Sequence, residues 1–395
     1  MSEIILREHE SNEVNLSITD VDLLRKSFST QLEVWPTTEP GKYLIKAKSY
    51  VGIIILPSGQ KIIIEPKIPV QTLFAILARV YDPEKEYFQD LVHPFTTIND
   101  LFEFIVSFFC AHTEDLIKRG LLRGYQSHTE DLQMIRGRLL ILETLHRSPG
   151  VYDSHWCSFR NFTPDIKENR VLLWTAYVLH TWDFSDPILF NRIHRIQQAM
   201  AHVLLDPDAR LLLDGMEFHR LNDTYKPALT LARLILDHLA FTGITGNEPF
   251  KAYLINMNTL FQDYLAVVID QGLESKGFRV KTTEQHKLDK HNKVNIEPDI
   301  LIYDKVNPVL VVDAKYKLNK AEDDLYQMLA YCHTLDLPQG ILIHPESETA
   351  PAGSIEIRGA GEILVDYLSL DLNGTPEQLK ENAAILVEKI KEYLV

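Results

Sequence analysis

The sequence NIEPDILIYDKVNPVLVVDAKYK, residues 295–317, decides how the fold is interpreted. Two short apolar runs, residues 301–303 and 309–312, flank a turn-like segment at residues 304–308. Short apolar runs on either side of a turn are typical of a buried β-hairpin. The stretch therefore predicts a hairpin in the core of a mixed α/β domain.

Charged residues stand at the open end of this predicted hairpin. Asp299 precedes its first apolar run, and Asp313 and Lys315 follow its second. Because a hairpin returns the chain to the end of the sheet at which it began, the three side chains are expected to converge at one sheet edge. Carboxylates suit Mg²⁺, and a nearby ammonium stabilises charge on a reacting phosphate. The alternative is a surface salt bridge between Asp313 and Lys315.

Composition and charge limit the possible classes of protein. The chain has 395 residues and is 45% hydrophobic, which is enough for two or three domains with sizeable cores. Its three cysteines form no C-x-x-C pair, so neither a disulfide framework nor a zinc site is predicted. No apolar run approaches the length of a membrane span, and we expect a cytoplasmic protein. The net charge of -15 argues against a large basic surface for nucleic acid, so a partner is expected to hold any DNA.

The order of predicted elements gives an α+β multidomain protein. An N-terminal mixed, β-rich domain is predicted at residues 1–96, a mainly helical middle region at 97–249, and an α/β domain at 250–395. Helices are predicted at residues 18–24, 101–119, 168–182, 188–205, 227–241, 253–273, 321–333 and 376–393. Strands other than the central hairpin are predicted at 43–47, 51–56, 61–66, 278–283, 340–343, 354–357 and 363–367.

Two segments outside the central hairpin allow more than one interpretation. Residues 51–66 contain two isoleucine runs, and the surrounding segment 41–67 carries five lysines against one glutamate. This hairpin is either buried core or a projecting element that docks to a partner. In Ile135–Ile141, two arginines flank a glycine, which fits either a phosphate contact or a tight turn.

A helix follows the central hairpin and places two polar residues on one face. Gln327 and Tyr331 are four positions apart, which is about one helical turn. That face is expected to look back at the paired carboxylates.

The segments together resemble the PD-(D/E)xK nuclease fold and the McrC family, the nuclease subunits of McrBC-type systems that restrict DNA carrying 5-methylcytosine. The resemblance is carried by nine segments in order: 135–138, 162–165, 168–170, 221–222, 225–227, 257–264, 298–299, 313–316 and 324–331. It implies that Asp299 and Asp313 bind a catalytic Mg²⁺ and that Lys315 orients the attacking water. Gln327 and Tyr331 are then supporting residues.

One position departs from the pattern of related nucleases. They often carry a glutamate on the first helix of the fold, where this sequence has Gln262. A glutamine can hydrogen-bond a metal-bound water, so Gln262 is a supporting candidate. Gln262 is equally well interpreted as a helix residue whose side chain faces a neighbouring strand.

The resemblance also implies a partner, a McrB-like AAA+ ring that hydrolyses GTP and reads modified cytosine in double-stranded DNA. The sequence has no G-x-x-x-x-G-K-[ST] loop, so GTP is expected to bind the partner and not this chain. In the family, the N-terminal part inserts into the ring and stimulates its GTPase. Segment 41–67 is the candidate for that role here, with Lys46, Lys48 and Lys61 as docking residues.

The sequence therefore leaves three functions to compare. The first is a Mg²⁺-dependent DNA endonuclease subunit that also stimulates its partner. The second is a non-cleaving activator or scaffold with a vestigial nuclease domain. The third is a RecB-like exonuclease that acts on DNA ends, which shares Gln327 and Tyr331 but leaves the first two regions unexplained.

Overall fold

The structure is a computed structural model that describes residues 3–81, 97–147, 153–182, 184, 186–238, 251–282, 284–289, 291, 293–317, 322–346, 353–357 and 363–394. The chain folds into two compact units, residues 1–102 with 238–395 and residues 103–237. Both units combine helices with β-sheet, so the protein is a mixed α+β structure.

The first unit begins with two small sheets that share one core. The elements are β1 (Glu3–Arg7), β2 (Ser11–Asn15), α1 (Ile18–Ser27), β3 (Leu32–Pro36), β4 (Lys42–Ala47), β5 (Tyr50–Ile55), β6 (Lys61–Glu65) and α2 (Val70–Tyr81). One sheet has the order β2-β4-β3, and the other has the order β1-β6-β5-β10, where β10 is Lys251–Asn256. Ile54, Ile62 and Ile64 of the β5–β6 hairpin are completely buried in this core. The structure therefore favours the buried-core interpretation of the isoleucine runs.

Strand β10 (Lys251–Asn256) joins two parts of the chain that are distant in sequence. It pairs antiparallel with β5, and Tyr253 lies opposite Ile53. The backbones approach so closely that a Cβ on Gly52 would lie 2.0 Å from the Tyr253 carbonyl oxygen. Position 52 also has φ +141°, which favours glycine, so the pairing requires this residue.

The predicted helix 253–273 is wrong for its first four residues. Residues 252–255 are buried and pair in β10, and helix α9 (Met257–Glu274) begins only after them. The Asn256 side chain accepts a hydrogen bond from the Asn258 amide, which caps the helix at its observed start. An apolar run that fits a helix pattern has therefore formed an edge strand and a capped helix.

The pairing of β5 with β10 places residues 1–96 and 250–395, which were predicted as separate domains, within one compact unit. Residues 239–250, which include the predicted boundary, lie outside the described residues. The division of roles among the three predicted regions stays a prediction.

The predicted central hairpin is confirmed and lies within a six-stranded sheet. The strands are β11 (Phe278–Thr282), β14 (Ile300–Asp304), β15 (Asn307–Ala314), β16 (Gln339–Pro345), β17 (Gly353–Ile357) and β18 (Ile363–Leu370), in the order β11-β14-β15-β16-β18-β17. Strand β14 is antiparallel to β15, whereas β15, β16 and β18 are parallel. A separate two-stranded ribbon is formed by β12 (His286–Lys287) and β13 (Asn295–Ile296).

Helices pack against this sheet and bury both of its faces. Helix α10 (Glu322–Leu335) packs with Leu301, Val311 and Leu342 in one apolar cluster. The intervening residues Ile302 and Val312 are also fully buried, and successive strand residues point to opposite faces. Helices α9 and α11 (Pro376–Glu392) contact strands of the same sheet. The register of the central strands is therefore fixed by burial on both sides.

The second unit combines helices with one three-stranded sheet, β7-β9-β8. Its elements are α3 (Leu101–Arg119), β7 (Gly124–Leu132), β8 (Arg138–Leu139), α4 (Ile141–Arg147), β9 (His155–Thr163), α5 (Lys167–His180), α6 (Pro187–Ala199), α7 (Ala209–Asp214) and α8 (Lys226–His238). The helix predicted at 188–205 ends earlier, at Ala199. Met200 caps the helix, with its amide donating to the carbonyl oxygens of Ile196 and Gln197, and the Leu204 amide donates to the Asp165 carboxylate outside the helix.

Within segment 135–141, only the two residues of β8 form a strand. Gly137 has φ +72°, and a Cβ there would lie 2.5 Å from the Ser158 carbonyl oxygen. The Arg136 guanidinium lies 4.3 Å from the centre of the Phe159 ring. The glycine therefore serves a tight turn against β9, and Arg136 packs on that strand.

A buried polar network joins motif segments of the second unit. Asn169 is completely buried, and its Nδ2 donates to the carbonyl oxygens of Leu122 and Pro164 at 3.0 and 2.6 Å. The Tyr225 hydroxyl donates to Asn169 Oδ1 at 3.0 Å. Arg170 forms a two-point ion pair with Asp165 at 2.7 and 2.8 Å. These residues stabilise the second unit and are not arranged as a separate site.

We expect Asn169→Ala to lower the free energy of unfolding by about 3 kcal/mol, because two carbonyls and a hydroxyl lose a buried partner. Urea denaturation followed by circular dichroism measures this change. Asn191→Ala is the matched control, because Asn191 is exposed on α6, and its effect should stay within about 0.5 kcal/mol. Equal stability of the two variants would contradict the structural role of Asn169.

Candidate metal centre

The central hairpin brings the two predicted carboxylates together. Ile300 pairs with Val312 in the antiparallel ladder, so Asp299 and Asp313 lie at the same end of β14 and β15. The Ala314 amide donates to Asp299 Oδ2 at 2.8 Å, and Asp313 is only 1% exposed. Because β15 lies between β14 and β16, the pair is at strand ends inside the sheet and not at an outer strand.

Lys315 completes the cluster that the sequence predicted. Its Nζ lies 2.6 Å from Asp313 Oδ2 and donates to Gln327 Oε1 at 2.8 Å. Its backbone amide donates to the Ile343 carbonyl oxygen at 2.9 Å, which extends the contact between β15 and β16 by one residue. The ammonium is therefore held between a strand carboxylate and a helix amide.

Gln327 and Tyr331 lie where the helix pattern placed them. Gln327 Nε2 donates to the Tyr331 hydroxyl at 2.6 Å, and that hydroxyl donates to the Glu297 carbonyl oxygen at 3.2 Å. Burial, reinforced by the charge of Asp313, raises the Tyr331 pKa, so the phenol remains a donor. A continuous chain of hydrogen bonds thus runs from Glu297 through the helix to Lys315.

The environment of Asp299 disfavours a second negative charge. Burial first, and the nearby Asp313 carboxylate second, raise the Asp299 pKa to about 7. A divalent cation between the carboxylates would reduce this repulsion, so the residues present fit a Mg²⁺ ion. In the described part of the chain, no group of three or more His, Cys, Asp or Glu residues could hold a metal. Water and phosphate oxygens would have to complete the coordination.

Gln262 is the one predicted supporting residue that is not joined to the cluster. It is half-buried on α9 and forms no hydrogen bond with the described residues Asp299, Asp313 or Lys315. Its neighbour Asp263 has a pKa raised to about 6 by burial. The role of Gln262 stays a prediction.

Sequence reasoning missed two charged residues beside the cluster. Asp324 is 5% exposed, and Lys317 Nζ lies 2.6 and 2.8 Å from its two carboxylate oxygens. Asp324 Oδ1 also lies 4.0 Å from Lys315 Nζ. The sequence did indicate Asp324, because it stands three residues before Gln327 and therefore lies on the same face of the helix.

The three lysines predicted to dock a partner do not lie on one secondary-structure element. Lys46 lies on β4 and Lys61 on β6, which belong to different sheets. Lys48 Nζ donates to the Ser29 carbonyl oxygen at 3.1 Å and lies 3.6 Å from Glu33. Their docking role stays a prediction.

Helix α4 in the second unit has no buried residue. Its apolar side chains Ile141, Leu142 and Leu145 are exposed, as are Met134 and Ile135 just before it. We call these five residues the α4 surface. Contiguous exposed apolar groups are typical of interaction sites.

Comparison with known proteins identifies related proteins by sequence and by fold. The family model described as McrBC 5-methylcytosine restriction system component matches residues 45–345. No curated protein matches the sequence.

No helix among the described residues combines the length and apolar character that crossing a membrane requires.

The solved structures that are similar to the chain include the following two. One is a chain in a refined half-complex from the tetradecameric assembly of Thermococcus gammatolerans McrB AAA+ hexamers with bound McrC. It has a TM-score of 0.59 and 15% identity over 98% of this chain and 100% of that chain. The other is a chain in a cryo-EM structure of the T. gammatolerans McrBC complex, with a TM-score of 0.49 and 17% identity over 69% of this chain and 88% of that chain. At these identities the first likeness shows the fold alone.

The raised Asp299 pKa leads to a prediction about stability. The pKa of an aspartate in an unfolded chain is about 4, whereas burial raises the pKa of Asp299 in the folded chain to about 7. Ionisation of Asp299 therefore destabilises the fold increasingly as the pH rises between these values. Without added cation, we expect Asp299→Asn to raise the free energy of unfolding at pH 8 by on the order of 1–2 kcal/mol.

Urea denaturation at pH 8 and near pH 4 measures this effect, and the gain should disappear at the lower pH. Asp304→Asn, at the exposed opposite end of β14, is the control and should change stability little. A loss of stability in Asp299→Asn at pH 8 would contradict the predicted repulsion.

Proposed function

Because the chain belongs to the family of McrBC 5-methylcytosine restriction system components, we propose that it is the nuclease subunit of a modification-dependent restriction complex. In this proposal it is a Mg²⁺-dependent DNA endonuclease with a C-terminal PD-(D/E)xK domain, and it stimulates the GTPase of an AAA+ partner. The observation that carries the proposal is the convergence of Asp299, Asp313 and Lys315 at one end of the central hairpin.

Each residue of the cluster has a role that its position supports. Asp299 and Asp313 would hold the cation, which supplies Lewis-acid stabilisation of charge on the scissile phosphate. Lys315 Nζ would orient the attacking water and donate to the phosphate oxygens. Gln327 holds this ammonium at 2.8 Å, and Tyr331 fixes the orientation of the Gln327 amide.

The reaction is hydrolysis of a phosphodiester. The water oxygen forms a bond to phosphorus, one phosphorus–oxygen ester bond breaks, and the leaving oxygen takes up a proton. The water loses a proton in the same process, so the protons balance overall. A buried, partly desolvated setting strengthens each of these electrostatic contributions.

The acidic chain requires help to bind DNA. A net charge of -15 repels a phosphate backbone, so a partner would deliver the substrate. The first solved structure contains McrB AAA+ hexamers with bound McrC. We infer that the partner here is a McrB-like ring that binds and hydrolyses GTP and presents double-stranded DNA carrying modified cytosine.

The docking site on this chain has two candidates. Lys46, Lys48 and Lys61 are the residues that the sequence analysis proposed. The α4 surface is the second candidate, and its support is the exposure of five apolar side chains in one short segment. Apolar residues at the centre of an interface contribute more to affinity than exposed charges do.

Cleavage tests the proposed nuclease. Circular methylated DNA is incubated with the chain, its AAA+ partner, GTP and Mg²⁺, and linear product is measured. We expect Asp313→Ala to lower the cleavage rate by roughly 100- to 1,000-fold, because a cation ligand is lost. Asp304→Ala, at the exposed end of β14, is the control. Equal cutting by wild type and Asp313→Ala would remove the cluster from the mechanism.

The same assay separates the two other functions. A non-cleaving activator is favoured by one observation, since Lys315 lies 2.6 Å from Asp313 Oδ2 and could replace a cation there. It predicts stimulated GTPase with no cleavage under any divalent cation. A RecB-like exonuclease would degrade linear DNA and leave the circular substrate intact.

Partner GTPase activity tests the docking site. If the α4 surface docks, Leu142→Asp should lower stimulation by roughly 10-fold at limiting concentration, because an acid cannot enter an apolar interface. Ile385→Asp is the matched control, because Ile385 is equally apolar and exposed on α11. Loss of stimulation in the triple variant Lys46→Ala, Lys48→Ala, Lys61→Ala, with Leu142→Asp unaffected, would assign docking to the lysines.

A further inference from the structure

Two residues from the N-terminal part of the chain meet the residue next to Lys315. Glu8 follows β1, and Lys67 lies two residues after β6. The Tyr316 hydroxyl donates to Glu8 Oε2 at 3.2 Å, and the Lys67 backbone amide donates to the same oxygen at 3.0 Å. Lys67 Nζ donates to the Tyr316 carbonyl oxygen at 3.2 Å and lies 3.8 Å from the centre of its ring. We call these three residues the Tyr316 clamp.

Glu8 and Tyr316 of the clamp are buried, and Lys67 is half-buried. Glu8 is 4% exposed and Tyr316 is 2% exposed. Burial raises the Glu8 pKa to about 7, although the Lys67 amide and ammonium oppose the shift. Burying a carboxyl group costs free energy that an apolar pair would not cost. A purely structural contact between these segments would therefore be better made by apolar side chains.

The clamp acts on a segment that carries two lysines of the metal centre. On one side of Tyr316, the Lys315 amide donates to the Ile343 carbonyl oxygen at 2.9 Å. On the other side, the Lys317 amide donates to the Lys315 carbonyl oxygen at 2.8 Å, which forms a tight turn. The Tyr316 ring also packs against Phe261 of α9, with centroids 5.7 Å apart. Tyr316 is therefore held through its carbonyl oxygen, hydroxyl and ring.

We propose that Glu8 and Lys67 are positioning residues for the nuclease centre, because they fix Tyr316 and thereby place the Lys315 ammonium between Asp313 and Gln327. The inference rests on the proposed nuclease function. It assigns the N-terminal segment a part in DNA cleavage that is separate from partner docking. Lys67, although it lies in the lysine-rich segment, is used inside the chain and not offered to a partner.

The first experiment compares Lys67→Met with Thr72→Val. Lys67→Met keeps the apolar stem and removes the ammonium. Thr72→Val is the matched control, because the buried Thr72 hydroxyl donates to the Gly374 carbonyl oxygen at 3.1 Å and also joins distant parts of the chain. Single-turnover cleavage of methylated DNA is measured with partner, GTP and Mg²⁺, and the rate is corrected for the folded fraction.

We expect Lys67→Met to lower the single-turnover rate by roughly 10- to 100-fold, since small displacements of a catalytic group have effects of this size. Affinity for the DNA–partner complex and GTPase stimulation should be unchanged. Thr72→Val should cut within about 3-fold of wild type. An unchanged corrected rate in Lys67→Met would overturn the inference and leave the proposed nuclease standing.

Two substitutions of Glu8 distinguish a positioning role from a general loss of structure. Glu8→Gln keeps an oxygen that accepts from Lys67 and Tyr316, and we expect its rate within about 3-fold of wild type. Glu8→Ala removes the acceptor and should resemble Lys67→Met. Equal rates for Glu8→Ala and Glu8→Gln would contradict the inference.

A measurement independent of activity separates this inference from the nuclease proposal. Hydrogen–deuterium exchange measures how well the backbone amides of residues 313–317 are protected from solvent. Lys67→Met should raise the amide exchange rate there by roughly 10-fold, whereas Thr72→Val should leave it unchanged. Unchanged exchange in Lys67→Met would overturn the inference whatever the activity. The proposed nuclease function is tested with the wild-type chain alone. If wild type does not cut DNA under any divalent cation, the proposed function is rejected.

Discussion

The structure depends on the register between β14 and β15, which places two carboxylates at one end of a buried hairpin. If the register shifted by one residue, Asp313 would move to the other face and Val312 would take its place. Such a slip is prevented because residues of both faces, Leu301 and Ile302 among them, are completely buried. Burial of both faces of the hairpin therefore keeps Asp299 and Asp313 together against their mutual repulsion.

The sequence predicted the parts of the site that depend on local pattern. The hairpin pattern predicts that Asp299, Asp313 and Lys315 lie close together. Helical spacing predicts that Gln327 and Tyr331 share one face of the next helix. The pairing of β5 with β10 could not be predicted in this way, because it joins residues about two hundred positions apart in the sequence. The segment 253–255 has apolar side chains that suit a helix or a strand, and only its distant partner decides between them.

The motif segments of the second unit contribute in a different way. Their residues belong to the segments that carry the family resemblance, yet Tyr225 bonds to Asn169 and Arg170 pairs with Asp165, which are contacts within the fold of this unit. A resemblance cannot distinguish a residue that stabilises a fold from one that reacts. Their partners distinguish them here, since Asn169 bonds to backbone carbonyls and to Tyr225 inside the second unit, whereas Lys315 lies between Asp313 and Gln327 at the end of the central hairpin.

A buried charge at a junction constrains function more than an apolar contact does. An apolar pair between the N-terminal segment and the segment after β15 would tolerate small sliding, because dispersion has little directionality. Glu8, Lys67 and Tyr316 instead form directional hydrogen bonds to both the hydroxyl and the carbonyl oxygen of Tyr316. Movement of β1 or β6 would therefore displace the backbone beside Lys315. The N-terminal segment and the metal centre are mechanically joined at this point, so a change in one would alter the geometry of the other.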